Sequence, residues 1–374
     1  MKEKILLKDL LFNETKFLQI SSTIKKAHPQ FEEKKFLAYL TQNFRALELK
    51  ARIELIADAF EKYLPKDYEA AVSILLKSMP EPLDENLSDD DFGEFIYAPH
   101  SHFIAKNAAD KKYLKFSLDA LMEMTKRFSV EYSIRHFINS HPKETLAYLH
   151  KMSKSKNYHI RRLCCEGTRP KLPWGMKIKT SHRDSLEILD NLFYDKTRFV
   201  TRSVSNHLND ISKIDAALVI EILRGWKTSK KQDEDEMNFI IRHALRGLIK
   251  QGDKAALTLL GINHEAQINL SEFFLPKKVR MNENLEFSFT LKSEKNCEAI
   301  VDYVIYFQNK SGGFSGGKVF KLKKLTLDEG REIKLSKRHM LRENMTTRKL
   351  FCGLHRIEIK VNGKILKQAN FEII

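Results

Sequence analysis

Three carboxylates set among bases and aromatic residues are the side chains of this sequence best suited to chemistry. The densest stretch is Arg161-Arg162-Leu163-Cys164-Cys165-Glu166-Gly167-Thr168-Arg169-Pro170-Lys171-Leu172-Pro173-Trp174. A helical run of bases ends in Glu166, and a Gly/Thr/Pro loop then leads to Trp174. Carboxylate, cations and an indole this close together suit a site that handles a cationic aromatic group on a phosphate polymer. The carboxylate meets the charge, the indole stacks, and arginine and lysine hold phosphate. A methylated nucleobase is such a group. Two further carboxylates occur in comparable settings. Glu131 starts the helical run Glu131-Tyr132-Ser133-Ile134-Arg135-His136-Phe137, and Asp210 lies in Ser203-Val204-Ser205-Asn206-His207-Leu208-Asn209-Asp210-Ile211-Ser212-Lys213.

Each carboxylate also has a plainer explanation. Glu131 suits the positive end of a helix dipole, Glu166 pairs with Arg162 at i,i+4, and Asp210 caps a following helix. Arg162, Arg169 and Lys171 either bind phosphates or form the solvated face of a helix end. Trp174, in a loop after Pro173, either stacks on a base or sugar or packs between repeats, whereas Trp226 closes a helix and reads as core. His100-Ser101-His102 has a spacing that suits ligands on a strand, and without cysteine or carboxylate nearby it indicates no metal site. There is no Gly-x-x-x-x-Gly-Lys loop, no Gly-x-Gly-x-x-Gly turn and no Ser–His–Asp order. Nucleotide-cofactor and triad-hydrolase chemistry are therefore not indicated.

The elements that carry these residues follow from periodicity. Up to residue 266 apolar positions recur at helical spacing, as in Phe36, Tyr39, Leu40, Phe44 and Leu47, then Ile53, Leu55, Ile56, Ala59, Phe60 and Tyr63 before Pro65. A helix over 68–79 is closed by Pro80-Glu81-Pro82, and the acidic run Ser88-Asp89-Asp90-Asp91 suits a helix start. An internal repeat places arginine after similar residues in Tyr132-Ser133-Ile134-Arg135, Tyr158-His159-Ile160-Arg161, Phe199-Val200-Thr201-Arg202 and Phe239-Ile240-Ile241-Arg242. The later arginines are 41 residues (161 to 202) and 40 residues (202 to 242) apart. That period fits HEAT-type helical pairs, with the arginine on the second helix of each pair and helices over 185–192 and 216–226 in the first layer.

From residue 267 the texture changes. Leu285-Glu286-Phe287-Ser288-Phe289-Thr290-Leu291 alternates with period two. Further strands are expected over 299–307, 319–322, 332–335, 354–361 and 369–374, with Asn362-Gly363 as a hairpin turn. Roughly seven short strands in about a hundred residues fit an immunoglobulin-like sandwich that lacks the Cys-Trp-Cys core. The expected fold is α then β: an all-α HEAT-like repeat solenoid over residues 1–266, followed by an immunoglobulin-like β-sandwich over 267–374.

Composition bounds the partners. A length of 374 residues favours two domains. A formal charge of +16 favours a polyanion, with nucleic acid ahead of an acidic membrane; a solvated basic surface is the plainer reading. Four cysteines without a Cys-x-x-Cys pair suit a reduced compartment. Met1 to Leu7 mixes charges and has no long apolar core, and no stretch reaches the roughly 20 apolar residues of a membrane span. A cytoplasmic protein with no membrane association is expected.

Three of these segments together resemble AlkC-type DNA glycosylases of the AlkC/AlkD HEAT-like repeat superfamily: 128–138, Cys165 to Trp174, and 200–213. Ile241-Arg242-His243-Ala244-Leu245-Arg246-Gly247-Leu248-Ile249-Lys250-Gln251-Gly252-Asp253 is similar too. Lys318-Val319-Phe320-Lys321 and Gly353-Leu354-His355-Arg356-Ile357-Glu358 resemble the Ig-like domain that one AlkC subgroup carries. The resemblance implies hydrolytic excision of cationic N-methylated bases, chiefly 3-methyladenine and 3-methylcytosine, from double-stranded DNA. It implies Glu131, Glu166 and Asp210 as the acidic catalytic positions, Trp174 as the indole near the lesion, and Arg162 as a base on the DNA-facing helix. DNA contacts are further expected from Arg161, Arg169, Lys171, Arg202, His207, Lys213, Arg242 and Arg246. In the sandwich they are expected from Lys318, Lys321, Arg348 and His355, for which solubilising strand-edge charge is the alternative. No metal or organic cofactor is implied, and a monomer on duplex DNA is expected. The competing readings are a non-catalytic DNA-binding HEAT-repeat protein and a protein-binding scaffold; the scaffold has no use for so much positive charge.

Overall fold

The structure, a computed structural model, describes residues 6–84, 91–314, 316–345 and 348–374. Ser88 to Asp90 of the acidic run and the side chain of Arg348 lie outside the described residues. The helices are α1 (Leu7–Leu11), α2 (Glu14–Ala27), α3 (Glu33–Asn43), α4 (Leu49–Tyr63) and α5 (Tyr68–Ser78). Then come α6 (Ala98–Lys106), α7 (Leu114–Thr125), α8 (Glu131–Ser140), α9 (Pro142–Met152) and α10 (Tyr158–Gly167). They end with α11 (Leu186–Leu192), α12 (Arg198–Ile211), α13 (Ala216–Ser229), α14 (Glu234–Ala244), α15 (Arg246–Gln251) and α16 (Lys254–Leu259). The apolar periodicity that ran through residues 36–49 is broken in space, because the chain leaves α3 at Phe44 and re-enters helix at Leu49.

Local chemistry sets the helix starts. The Asn13 side chain accepts from Lys16 N at the start of α2, and Asp67 from Ala70 N at α5. Asn157 accepts from His159 N and Ile160 N at α10 (3.0 and 3.3 Å). Pro142 supplies the first residue of α9, where no amide hydrogen is needed. No helix among the described residues is long and apolar enough to cross a membrane.

By packing, the chain forms two compact units, residues 1–214 with 229–240, and residues 215–228 with 241–374. In the first unit α4, α6, α8, α10 and α12 pack one against the next, while α5, α7, α9 and α11 lie against them. Arg135, Arg161 and Arg202 sit on α8, α10 and α12, the second helices of successive pairs; the 41-residue step separates Arg161 from Arg202 (202 − 161), whereas Arg135 and Arg161 are 26 residues apart (161 − 135). Gly167 ends α10 where a Cβ would come within 2.5 Å of Ile134 Cγ2, so α8 and α10 approach closely at that point.

The second unit holds the strands. Helix gives way to strand between Leu259 and Ile268. The strands are β1 (Ile268–Phe274), β2 (Lys278–Val279), β3 (Asn284–Ser293), β4 (Cys297–Tyr306) and β5 (Lys318–Leu327). They continue with β6 (Glu332–Met340), β7 (Asn344–Met345), β8 (Arg348–Lys349), β9 (Gly353–Val361) and β10 (Lys364–Ile373). One sheet has the order β1-β3-β6, a second has β2-β10-β9-β4-β5 and is antiparallel except at β2–β10, and β7 and β8 pair as a separate antiparallel ladder. The inward faces of β3, β4, β9 and β10 supply the core, with Leu285, Phe287, Phe289, Val301, Ile305, Ile357, Ile359 and Phe371 all buried. The sequence reading missed β1, whose exposed Ser271 and Glu272 interrupt alternation, and β5 runs further than expected. Asn362 and Gly363, at φ 47° and 80°, turn β9 into β10 as expected. That turn also packs inside its own unit: Asn362 O accepts from His264 Nδ1 at 3.0 Å, and Gly363 lies against Gly252.

Candidate functional site: a buried carboxylate–guanidinium cluster

Helices α8, α10 and α12 bring the three expected carboxylates into one network. Glu131 is the first residue of α8, Glu166 the penultimate residue of α10, and Asp210 lies one residue before the end of α12. Asp210 therefore sits inside its helix and does not cap the next one. All three are buried. Arg169, just past α10, bridges two of them: its Nη1 donates to Glu166 Oε1 at 2.5 Å and its Nε to Asp210 Oδ2 at 3.0 Å. Arg162, one turn before Glu166, lies 4.0 Å from Glu166 Oε2 and 3.6 Å from Glu131 Oε2. Lys213 stands at the exposed rim, 3.7 Å from Asp210 Oδ1.

Hydroxyl groups complete the cluster. Arg162 Nη1 donates to Ser129 Oγ at 2.5 Å, and Ser129 Oγ in turn donates to Glu131 Oε2. Ser203 Oγ donates to Glu166 Oε2 at 2.5 Å. The Arg162 guanidinium also packs over the rings of Phe92 and Phe199, at 5.0 and 4.5 Å from their centroids. Burial alone pushes the Glu166 carboxyl up. The Arg162 and Arg169 guanidiniums, with hydrogen bonds from Ser203 and Arg169, outweigh it and hold the group below its ordinary value. Three carboxylates are thus met by two buried guanidiniums and, at the rim, the Lys213 ammonium, and the buried Glu166 is held as a desolvated carboxylate, the environment in which a nearby cation gains most.

The loop after α10 is pinned from beneath. Arg135, fully buried on α8, donates to the carbonyls of Gly167 (2.9 Å), Arg169 (2.8 Å) and Met176 (2.6 Å). Of the repeating arginines it is therefore the one that shapes the loop. Trp174 projects from this loop with 61% of its surface exposed and a left-handed backbone (φ 62°), and its carbonyl accepts from Lys50 Nζ at 2.7 Å. A bulky residue in that conformation costs roughly 1–2 kcal/mol, so the surroundings enforce the indole's outward pose. Packing between repeats, the plainer reading of Trp174, does not describe an exposed side chain.

The remaining candidates separate. Lys171 and Arg242 are exposed, and Arg202 and Arg246 are half-buried. Arg161 turns away to form a two-point ion pair with Asp195 (2.5 and 3.0 Å). Lys318 and Lys321 are exposed on β5. Two histidines depart from the expectation of a surface role. His207 is fully buried between Ser185 Oγ (3.1 Å) and the Cys165 carbonyl (3.1 Å), and burial lowers its pKa to about 3. His355 is also fully buried; its Nδ1 accepts from Gln308 N, its Nε2 contacts the Phe351 carbonyl, and its ring stacks on Phe371. Both rings spend their polar atoms inside the protein. Sequence reasoning missed Ser129, Ser203, Phe92 and Phe199. Only Ser203 left a signal, two helical turns before Asp210 and so on the same face of α12.

Paired helices followed in the chain by an Ig-like sandwich define the class of protein: a helical-repeat fold with a C-terminal Ig-like domain. Residues 80–248 match the family described as DNA alkylation repair enzyme, and residues 269–374 match the YhaZ C-terminal Ig-like domain. YhaZ of Bacillus subtilis (strain 168), itself described as uncharacterized, is 31% identical over 368 residues, covering 97% of this chain and 98% of its own. The alkylpurine DNA glycosylase AlkC of Pseudomonas fluorescens, solved bound to DNA containing an abasic site analog, matches with a TM-score of 0.88 at 31% identity. That match covers 99% of this chain and 100% of the other. The chain belongs to this AlkC/YhaZ family of DNA alkylation repair proteins.

Proposed function

We propose that this chain is a monomeric DNA glycosylase that excises cationic N-methylated bases, 3-methyladenine and 3-methylcytosine, from double-stranded DNA by hydrolysing the N-glycosidic bond. The observation that carries the reading is the buried cluster of Glu131, Glu166 and Asp210 around Arg162 and Arg169. A methylated base already bears positive charge, so it leaves readily without a general acid. As the bond breaks, its electron pair passes to the base and cancels that charge, and positive charge develops on the sugar. Ionised carboxylates fixed beside the sugar stabilise that state. Water adds to the sugar carbon and gives its proton to a carboxylate. Glu166 and Asp210 are assigned as the principal pair, Glu131 as their support, and Trp174 as the stacking surface for the lesion or its sugar.

The cluster has a second consequence. Arg162 and Arg169, whose charges are met by carboxylates, hold the acidic groups in place more than they hold phosphate. Phosphate contacts are assigned to the exposed Lys171 and Arg242, to the half-buried Arg202 and Arg246, and to Lys213 at the rim, with the exposed Lys318 and Lys321 of the sandwich domain, residues 267–374. The test is release of free base from methylated duplex DNA by the wild type and by Glu166→Gln and Asp210→Asn in single turnover. Base released by the wild type, with loss in both variants and retained DNA affinity, is expected. Salt-sensitive DNA binding without release by the wild type would favour the non-catalytic DNA-binding reading instead.

A further inference from the structure

Next to the acidic cluster, within the same unit, lies a cavity of about 250 Å³ between α4, α6, α8 and the Trp174 loop. Its walls are largely aromatic: Phe95, Phe128, Tyr132 and the Trp174 indole, with His102 and His136 opposed edge to face at 6.1 Å. Ser129 lines it as well and is also the hydroxyl that joins Arg162 to Glu131, so cavity and cluster share a wall. The polar atoms of the lining fall into three groups. Lys50 and Glu54 are exposed, and Lys50 donates to the Trp174 carbonyl at 2.7 Å. Ser133 and Ser101 satisfy one another at 2.9 Å. Among the described residues, no side-chain hydrogen bond engages either imidazole, the Tyr132 hydroxyl or the Trp174 indole N–H.

Burial lowers the pKa of both imidazoles, and His102 lowers that of His136 further. Each ring is then neutral at pH 7 and presents one donor and one acceptor nitrogen. The lining carboxylate Glu54 is exposed and the lining ammonium of Lys50 is exposed and spent on the Trp174 carbonyl, so the walls of the chamber are mainly apolar with a few unspent donors and acceptors, which favours a neutral, planar heterocycle with a mixed hydrogen-bonding edge. The exposed Trp174 at its rim gives such a ring a stacking partner.

We propose that this cavity binds the free, neutral purine-type base after the glycosidic bond is cut, separating it from the carboxylates that served the cationic lesion. This inference rests on the glycosylase reading for its ligand. The two sites differ in charge preference because cleavage itself changes the charge of the base. On the DNA the methylated base is a cation and suits Glu131, Glu166 and Asp210. Once released it is neutral, gains nothing from them, and is more favourably placed against aromatic walls.

Equilibrium dialysis of the full-length protein against free 3-methyladenine, without DNA, tests the proposal. Saturable binding of one base per chain is expected, reduced at least tenfold in the double variant His102→Leu/His136→Leu. That variant replaces the edge nitrogens with apolar groups; its folding is checked by circular dichroism. Should the double variant not fold, Tyr132→Phe, which removes one unspent hydroxyl, is expected to weaken binding severalfold. Absence of saturable binding to the wild type overturns the proposal, as does equal binding by folded variants. Base excision from DNA by the wild type is scored in parallel. Excision without free-base binding removes the cavity's role and leaves the glycosylase reading intact. Free-base binding without excision removes the glycosylase reading and, with it, the product role proposed for the cavity.

Discussion

Arg169→Met provides the most direct test of how the acidic cluster is held together. Methionine keeps a flexible, unbranched chain but removes the bridge between Glu166 and Asp210. Glu166 retains only Arg162 at 4.0 Å and the Ser203 hydroxyl, and Asp210 retains the exposed Lys213. Breaking a buried ion pair by removing one partner costs about 3–5 kcal/mol, because a charge is left desolvated. The cost should depend on pH with a defined sign. In the wild type Glu166 sits below its ordinary value of 4.5, so its contribution to stability is full above that pH and is lost as pH falls. In the variant burial regains the upper hand and the folded-state value rises above the unfolded one. The ionised group then penalises folding progressively as pH rises past 4.5, until it stays ionised in both states. Denaturant unfolding at pH 5 and pH 8 should therefore show a larger wild-type-to-variant difference at pH 8, by roughly 1.4 kcal/mol for each unit by which the folded-state value has risen. A difference below about 1 kcal/mol at both pH values would refute the reasoning and return Arg169 to the status of a solvated base.

Other perturbations separate fold from function. Trp174→Gly relieves a left-handed non-glycine residue while removing an exposed side chain, so stability by thermal unfolding should change by no more than about 1 kcal/mol whereas base release falls sharply; parallel losses in both would show that the indole is structural. Gly363→Ala places a Cβ where the ideal position is 2.2 Å from Gly252 Cα, at φ 80°. It should destabilise the sandwich-containing unit by about 1–3 kcal/mol, measured as a lower denaturant midpoint. His100 and His207 are buried with pKa values lowered to about 3. Folding must keep them neutral, so stability is full above the ordinary value of 6.5 and declines as pH falls below it, by up to about 1.4 kcal/mol per pH unit for each ring. Denaturant titrations between pH 7 and pH 5 should show that slope, and a flat profile would contradict the burial argument.

Local sequence determined much of this protein. Periodicity gave the helices and strands because amphipathic faces must be buried wherever they occur, and Asn362-Gly363 specified its turn because few residue pairs tolerate two left-handed conformations in succession. The spacing of the later arginines indicated helix pairs, and Glu131, Glu166 and Asp210 stood out in their segments, although only the family resemblance implied that they act together. Tertiary structure decided what each polar side chain does. Arg135, Arg161 and Arg202 occupy equivalent repeat positions, yet Arg135 clamps three carbonyls and Arg161 pairs with Asp195. His207 and His355 sit in polar or basic stretches, yet both are sealed in the interior. The difference is physical: hydrophobic periodicity is a property of one segment and its own geometry. The role of a buried charge depends on which oxygen or guanidinium a distant segment brings near it: Arg162 meets Ser129 and Glu131, and Arg169 meets Asp210, only when α8, α10 and α12 pack.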